Sequence, residues 1–206
     1  MNKTEIRKQY LKLRKEIIDR EDKNKKIMGR IIDTEIYKNS QVIGIYVSTD
    51  CEVDTIELIK YSLCIGKIVC VPVVNGGTML FYKIDSIDAL DSKNKYGILE
   101  PDPNNSICIN GDFIDLFIMP IVSFDKSRNR IGYGGGYYDK YLNNLPGVKI
   151  GIAFSIQKAE KIIAEQTDVR PDTIITEHDI FTNMKMYATI DDVKRALKKK
   201  STVNLF

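Results

Sequence analysis

The stretch VIGIYVSTDCEVDTIELIKYSLCIGKIVCVPV, residues 42–73, decides the fold. Its first six residues, Val42 to Val47, are short and rich in β-branched side chains, the pattern of a buried strand. Thr55 to Leu63 read as a helix, and Lys67 to Val73 as a second strand. Strand, helix and strand in that order argue an α/β fold with a largely parallel sheet.

The alternation continues in both directions. Upstream, Ile6, Tyr10, Leu13 and Ile17 recur at steps of four, three and four, which predicts a helix from residue 3 to about 20. On that helix Lys3, Arg7 and Arg14 fall within about 40° of one another, beside the apolar stripe. A second helix is expected from about 22 to 37. Downstream, Asn75-Gly76-Gly77 signals a turn into a strand from Met79 to Ile84. Residues 85–112 are polar and aperiodic and read as a long excursion. Further strands are expected at Asp115 to Pro120, Val148 to Phe154 and Asp172 to Thr176. The tail from Asp191 through Lys198-Lys199-Lys200 is expected as a short amphipathic helix. One domain spanning residues 1–206 accommodates all of this, and a chain of that length buries roughly 70% of its unfolded surface.

Composition removes several functional classes. With 31 Lys and Arg against 28 Asp and Glu, a net charge of +3 does not require a basic face, so no nucleic-acid partner is expected. No apolar run approaches the ~20 residues of a membrane span, and the N-terminus has no apolar signal core, so no membrane association is expected. Cys51, Cys64, Cys70 and Cys108 include no C-x-x-C pair. Cys64 and Cys70 lie in apolar runs, and buried, reduced thiols in a cytoplasmic protein are the expectation. His178, flanked by carboxylates, reads as a surface or structural residue, which leaves no imidazole for a catalytic triad.

The chemistry concentrates in Arg130-Ile131-Gly132-Tyr133-Gly134-Gly135-Gly136-Tyr137-Tyr138-Asp139, between a strand signal and a helix that runs to about Leu145. Four glycines in five positions give up backbone entropy on folding, so they imply positive φ or close backbone approach. Exposed N–H groups leading into a helix form an anion cradle. No Gly-Lys-Ser/Thr follows, so this is not a P-loop, and Tyr137 stands where a dinucleotide fingerprint needs Gly or Ala. A tight packing turn is the competing reading of the same glycines.

With Phe124-Asp125 upstream and Asp115 to Pro120 before it, this run resembles the signature of the 5-formyltetrahydrofolate cyclo-ligase family. The similarity extends from Lys3 to about Asp179 through Lys3, Ile6-Arg7, Glu52-Val53-Asp54-Thr55, Lys67 and Pro72, and leaves the tail 180–206 unmatched. It implies a three-layer α/β/α sandwich that uses ATP and Mg²⁺ to close 5-formyltetrahydrofolate into 5,10-methenyltetrahydrofolate, releasing ADP and phosphate. By position, Lys3, Thr4, Glu5, Ile6 and Arg7 would bind ATP together with Arg130, Ile131, Gly132, Tyr133, Gly134, Gly135, Gly136, Tyr137 and Tyr138. Val47, Glu52 and the stretch Tyr133 to Tyr137 would line the folate, Asp139 and Asp168 would hold the metal, and Arg130 and Tyr137 would act in catalysis. A monomer is expected. Arg128, Ile121 and Ser123 depart from the family pattern, Arg128 standing where glycine is common.

A cyclo-ligase needs no protein nucleophile, because phosphorylation makes the formyl oxygen a leaving group, and phosphoryl transfer depends on positioning and charge neutralisation. The alternatives are a non-catalytic nucleotide or folate binder on the same fold, and a sugar-phosphate isomerase, which would need a poised acid-base residue and no ATP.

Overall fold

The structure, a computed structural model, describes residues 2–49, 51–90, 92–93 and 97–183. With strands numbered in chain order, β1 (Val42–Ile45) lies near the middle of an eight-stranded sheet. Parallel to it run β2 (Ile68–Asn75) on one side and β7 (Leu116–Pro120), β10 (Val148–Ile152) and β11 (Thr173–Ile175) on the other. Antiparallel pairings close both edges: β3 (Thr78–Ile84) pairs with β2 and β6 (Cys108–Ile109) with β3, and β12 (Ile180–Thr182) pairs with β11. Two small hairpins, β4 (Ser92–Lys93) with β5 (Leu99–Glu100) and β8 (Ser123–Phe124) with β9 (Arg130–Ile131), lie outside the main sheet.

Period-two alternation makes the sheet two-faced. Ile43, Ile45, Val69, Val71, Leu116, Ile118, Ile150 and Ile152 face one core, which Ile27 and Ile31 of α2 (Arg20–Asp33), Tyr37 of α3 (Glu35–Asn39) and Leu58 and Ile59 of α4 (Ile56–Cys64) complete. Cys70, Phe81, Phe117 and Met119 face the other core, against Leu142, Tyr138 and Tyr141 of α5 (Tyr137–Leu142). The result is the expected three-layer sandwich. Gly44 permits the second core to close: a Cβ there would sit 2.9 Å from the Phe117 ring and 3.0 Å from Phe81, whose rings pack edge to face.

Helix α1 (Lys3–Lys15) stands at one end, where Ile6 packs on Ile131, Ala159 and Ile162. It stops about five residues before the predicted end near residue 20. Asp19 turns the chain with a φ of 52°, and Arg20 donates to the carbonyl oxygen of Arg14 in the last turn of α1. The predicted second helix is split at Thr34, whose hydroxyl caps α3. The polar excursion 85–112 contains β4, β5 and β6, each two residues long and too short to show a period. Cys70 is buried as expected, whereas Cys64, at the end of α4, is exposed. The expected tail helix lies outside the described residues.

The sheet order reverses beside β1. From β1 the chain crosses through α4 to β2 on one side, while β7 lies on the other side and leads on to β10 and β11. In open α/β sheets a crevice forms outside the carboxyl ends of strands at such a point. Tight packing beside β7 gives a stability test. A Cβ on Gly147 would lie 2.3 Å from the Ile114 carbonyl oxygen and 2.7 Å from the Phe117 ring. Gly147→Ala should therefore cost about 1–3 kcal/mol, read as a lowered Tm in thermal unfolding; an unchanged Tm would show that this corner yields freely.

Candidate active site

After β7 the chain makes the β8–β9 hairpin, whose turn is organised by one buried carboxylate. Asp125 Oδ1 accepts from the backbone N–H of Ser127 and Asn129, and its Oδ2 accepts from Asn129 Nδ2 and the Ile162 N–H, all at 2.9–3.0 Å. Arg128 in this turn has a φ of 65°, the left-handed region in which glycine is cheapest. Its Nε donates to the Pro171 carbonyl at 3.1 Å, which tethers the turn to the segment before β11.

Strand β9 then delivers Arg130 and the glycine loop to the crevice. Arg7 Nε donates to the Gly132 carbonyl at 2.8 Å, and the guanidinium lies against Gly134, where a Cβ would stand 3.3 Å from Cζ. Gly134 has a φ of 100°, so that position needs glycine for conformation as well as space. A Cβ on Gly135 would strike the Tyr137 ring at 2.5 Å, and Gly136, with a φ of 65°, starts α5. Neither Nη of Arg7 has a hydrogen-bond partner in the protein among the described residues, so both remain available beside the loop.

Two ion-paired clusters border the cradle. Arg130, 7% exposed, donates Nη2 to Asp139 Oδ1 at 2.6 Å, while its Nε is buried without a partner among the described residues. Lys3 Nζ lies 2.6 Å from Asp168 Oδ2 and 2.9 Å from Glu165 Oε1. Burial alone would raise the Asp168 pKa, but hydrogen bonds from Lys3 and the Glu165 N–H, with the charges of Lys3 and Arg130, hold it below the ordinary value of 3.8. Asn129, Arg130, Glu165, Gln166, Asp168 and Arg170 share the lining of a small cavity here.

A third cluster spans the crevice. Glu52, buried in the loop after β1, accepts from the Thr49 N–H and hydroxyl on Oε2 at 2.9 and 3.0 Å. Its Oε1 accepts from the Tyr133 hydroxyl at 2.7 Å, and that hydroxyl accepts from Nη2 of buried Arg14 at 2.6 Å. Tyr133 is half exposed, with its oxygen held between Arg14 and Glu52; desolvation, then the charge of Glu52, pushes its ionisation upward. Tyr138 carries a buried hydroxyl without a partner among the described residues, and burial and Glu52 raise its pKa too.

The structure brings Lys3, Arg7, Arg130, Gly132 to Gly136, Tyr133, Tyr137, Tyr138, Asp139, Asp168 and Glu52 to this one end of the sheet. Four neighbouring side chains are placed otherwise: Glu5 closes a capping box with Asn2, Thr4 is exposed, and Ile6 and Ile131 pack together. Val47 is buried in the main core at the exit of β1. His178 is exposed beside Glu177, as expected of a structural residue. Sequence reasoning gave no role to Arg14 or Thr49; for Arg14 the signal was its membership in the Lys3-Arg7-Arg14 stripe.

A model of the 5-formyltetrahydrofolate cyclo-ligase family matches residues 1–177. The chain belongs to that family. It is 33% identical over 138 residues to the 5-formyltetrahydrofolate cyclo-ligase of Haemophilus influenzae, covering 64% of this chain and 73% of that one. To the Mycoplasma genitalium enzyme of the same name it is 32% identical over 170 residues, covering 78% and 89%. A solved 5,10-methenyltetrahydrofolate synthetase from Aquifex aeolicus superimposes with a TM-score of 0.78 at 29% identity, over 88% of this chain and 93% of that one. The synthetase from Mycoplasma pneumoniae gives a TM-score of 0.71 at 28% identity, over 86% and 99%. The cyclo-ligase is a ligase of folate one-carbon metabolism.

The Lys3–Asp168 pair sets a pH test. A carboxyl whose folded pKa is depressed contributes stability that is present above its unfolded pKa and lost as pH falls through the folded value. Carboxyl-detected NMR should find Asp168 titrating below 3.8, and Lys3→Ala should move it upward. An Asp168 that titrates identically in both proteins would show that the pair does not form in solution.

Proposed function

We propose that this cyclo-ligase carries out ATP-dependent closure of 5-formyltetrahydrofolate in the crevice between the β1 and β7 exits, with the glycine loop holding the polyphosphate and Glu52 holding the pterin. The observation that carries the reading is the convergence of Lys3, Arg7 and Arg130 with Glu52 around one glycine loop. The formyl carbon is a poor electrophile, and its oxygen cannot leave unaided. Attack of that oxygen on the γ-phosphate releases ADP. The second folate nitrogen then adds to the activated carbon, loses its proton and expels phosphate, leaving the methenyl bridge.

Each residue role follows from the donors it has left. Arg130 spends one Nη on Asp139 and keeps the other, which lies beside Gly132, for phosphate oxygens. Arg7 offers both Nη groups next to Gly134. Arg130 acts on the transferred phosphoryl group, and Tyr137, stacked under Gly135, sets the loop over the substrate. Glu52 accepts from pterin N–H groups, near Val47 at the base of the pocket.

Asp139 and Asp168 fit a magnesium ion in the manner that ion prefers. Each uses one oxygen on a cation and a backbone N–H, and leaves Asp139 Oδ2 and Asp168 Oδ1 without a partner among the described residues. No cluster of three His, Cys, Asp or Glu side chains able to hold a metal occurs among those residues, so phosphate oxygens and water would complete the shell. Bound there, the ion would supply neutralisation of phosphate charge. Residues for both substrates come from one chain, which supports a monomer, and four unpaired cysteines support a cytoplasmic site of action.

Mixing the full chain with 5-formyltetrahydrofolate, Mg²⁺ and ATP should produce methenyl absorbance in the near ultraviolet only when ATP is present; absence of an ATP-dependent signal would refute the reading. Arg130→Ala should lower kcat by roughly 10²–10³-fold with its circular dichroism unchanged, by analogy with loss of one transition-state donor. Near-normal turnover would remove Arg130 from the chemistry. Asp139→Asn should raise the magnesium concentration needed for half-maximal rate, and an unchanged titration would remove it from the metal site.

A further inference from the structure

The basic stripe of α1 places three cations on one side of the helix, but only Lys3 and Arg7 reach the polyphosphate cradle. Arg14 is 3% exposed and two turns farther on, and it touches the other substrate's side of the crevice. From its contacts we infer that Arg14 is a positioning residue for folate recognition, acting through Tyr133 on Glu52. The inference rests on the proposed role of Glu52.

The proton logic follows from the donor inventory. A guanidinium can only donate, so Arg14 Nη2, 2.6 Å from the Tyr133 oxygen, occupies a lone pair there. The tyrosine's single proton must then point elsewhere, and Glu52 Oε1 at 2.7 Å receives it. Arg14 thereby fixes the direction of the Tyr133 hydroxyl and polarises it. The carboxylate is left as an acceptor with Oε2 saturated by Thr49 and a lone pair on Oε1 still open. An acceptor in a fixed orientation suits an amino-pterin edge, which presents N–H donors.

Two further observations place Arg14 there deliberately. Arg20 donates to the Arg14 carbonyl and, at 3.0 Å, to the carbonyl of Cys51, the residue before Glu52. The end of α1 and the β1 exit loop are thus stapled together, and Arg20 is held in turn over the Phe154 ring at 5.0 Å. In addition, Arg14 Nε is buried with no partner among the described residues. An orphaned buried donor is unfavourable, and selection for stability alone would favour an apolar side chain at that position. Function at Glu52 accounts for keeping the charge.

A kinetic double-mutant cycle tests this with the full chain. Tyr133→Phe removes one oxygen from a half-exposed ring, and Arg14→Gln removes the charge; each should raise the KM for 5-formyltetrahydrofolate about tenfold or more, the loss of a hydrogen bond to a charged group. The KM for ATP should stay within about threefold, and the double variant should be no worse than Tyr133→Phe alone, since both act on one path. Arg14→Lys, which keeps a donor, should recover part of the affinity. Multiplying effects in the double variant, or a KM change confined to ATP, would overturn the inference and make Arg14 a phosphate ligand. Equal losses for Gln and Lys at position 14 with a lowered Tm would overturn it in favour of a packing role. Failure of the wild-type chain to cyclise the substrate at all would instead strike the proposed function.

Discussion

The 2.7 Å hydrogen bond from Tyr133 to Glu52 joins the two loops that leave the sheet at the point where its strand order reverses. One loop follows β1 and the other follows the β8–β9 hairpin beyond β7. Everything else at this end of the molecule serves to bring those loops together. Helix α1 packs Ile6 on Ile131 and lays Arg7 along Gly134, so the glycine loop has a wall behind it. Asp125 saturates the hairpin turn from which Arg130 emerges. The arrangement has the logic of other open α/β folds, a rigid parallel sheet carrying chemistry on loops at its carboxyl edge.

Charge is arranged here in short chains. Lys3 with Asp168, Arg130 with Asp139, and Arg14 through Tyr133 with Glu52 each place a cation beside an acid while leaving atoms for a ligand. Pairing offsets desolvation in the absence of substrate, and the unspent donors and acceptors are the binding groups proposed for the two substrates. A net charge of +3 conceals this local order entirely.

Much of the fold was legible because its strands are long enough to show a pattern. The runs at 42–47, 67–73, 115–120 and 148–154 each correspond to an observed strand within about two residues, and the α/β order follows from them. The excursion 85–112 was not legible, because two-residue strands such as Cys108–Ile109 carry no period and are set by tertiary pairing with Phe81 and Tyr82. The end of α1 was overrun because Ile17 keeps the helical spacing while Asp19 turns the chain. At the site, the glycine run and its flanking Arg130 and Asp139 pointed to a ligand loop, with a packing turn as the competing reading, and family resemblance supplied Glu52 and Asp168 as candidates. Arg14 was visible as a member of a stripe, but whether that stripe faced solvent or the crevice depended on long-range packing that periodicity does not encode.

If both substrates meet at the β1–β7 crevice, between α1, the Glu52 loop and the glycine loop, their binding shields those three segments from solvent. Hydrogen-exchange mass spectrometry on the full chain, with a non-hydrolysable ATP analogue, Mg²⁺ and 5-formyltetrahydrofolate, tests it most directly. New protection is expected in residues 2–14, 46–55 and 130–142, with the nucleotide analogue alone protecting the first and last of these. Protection confined to other segments, such as 85–112, would contradict it.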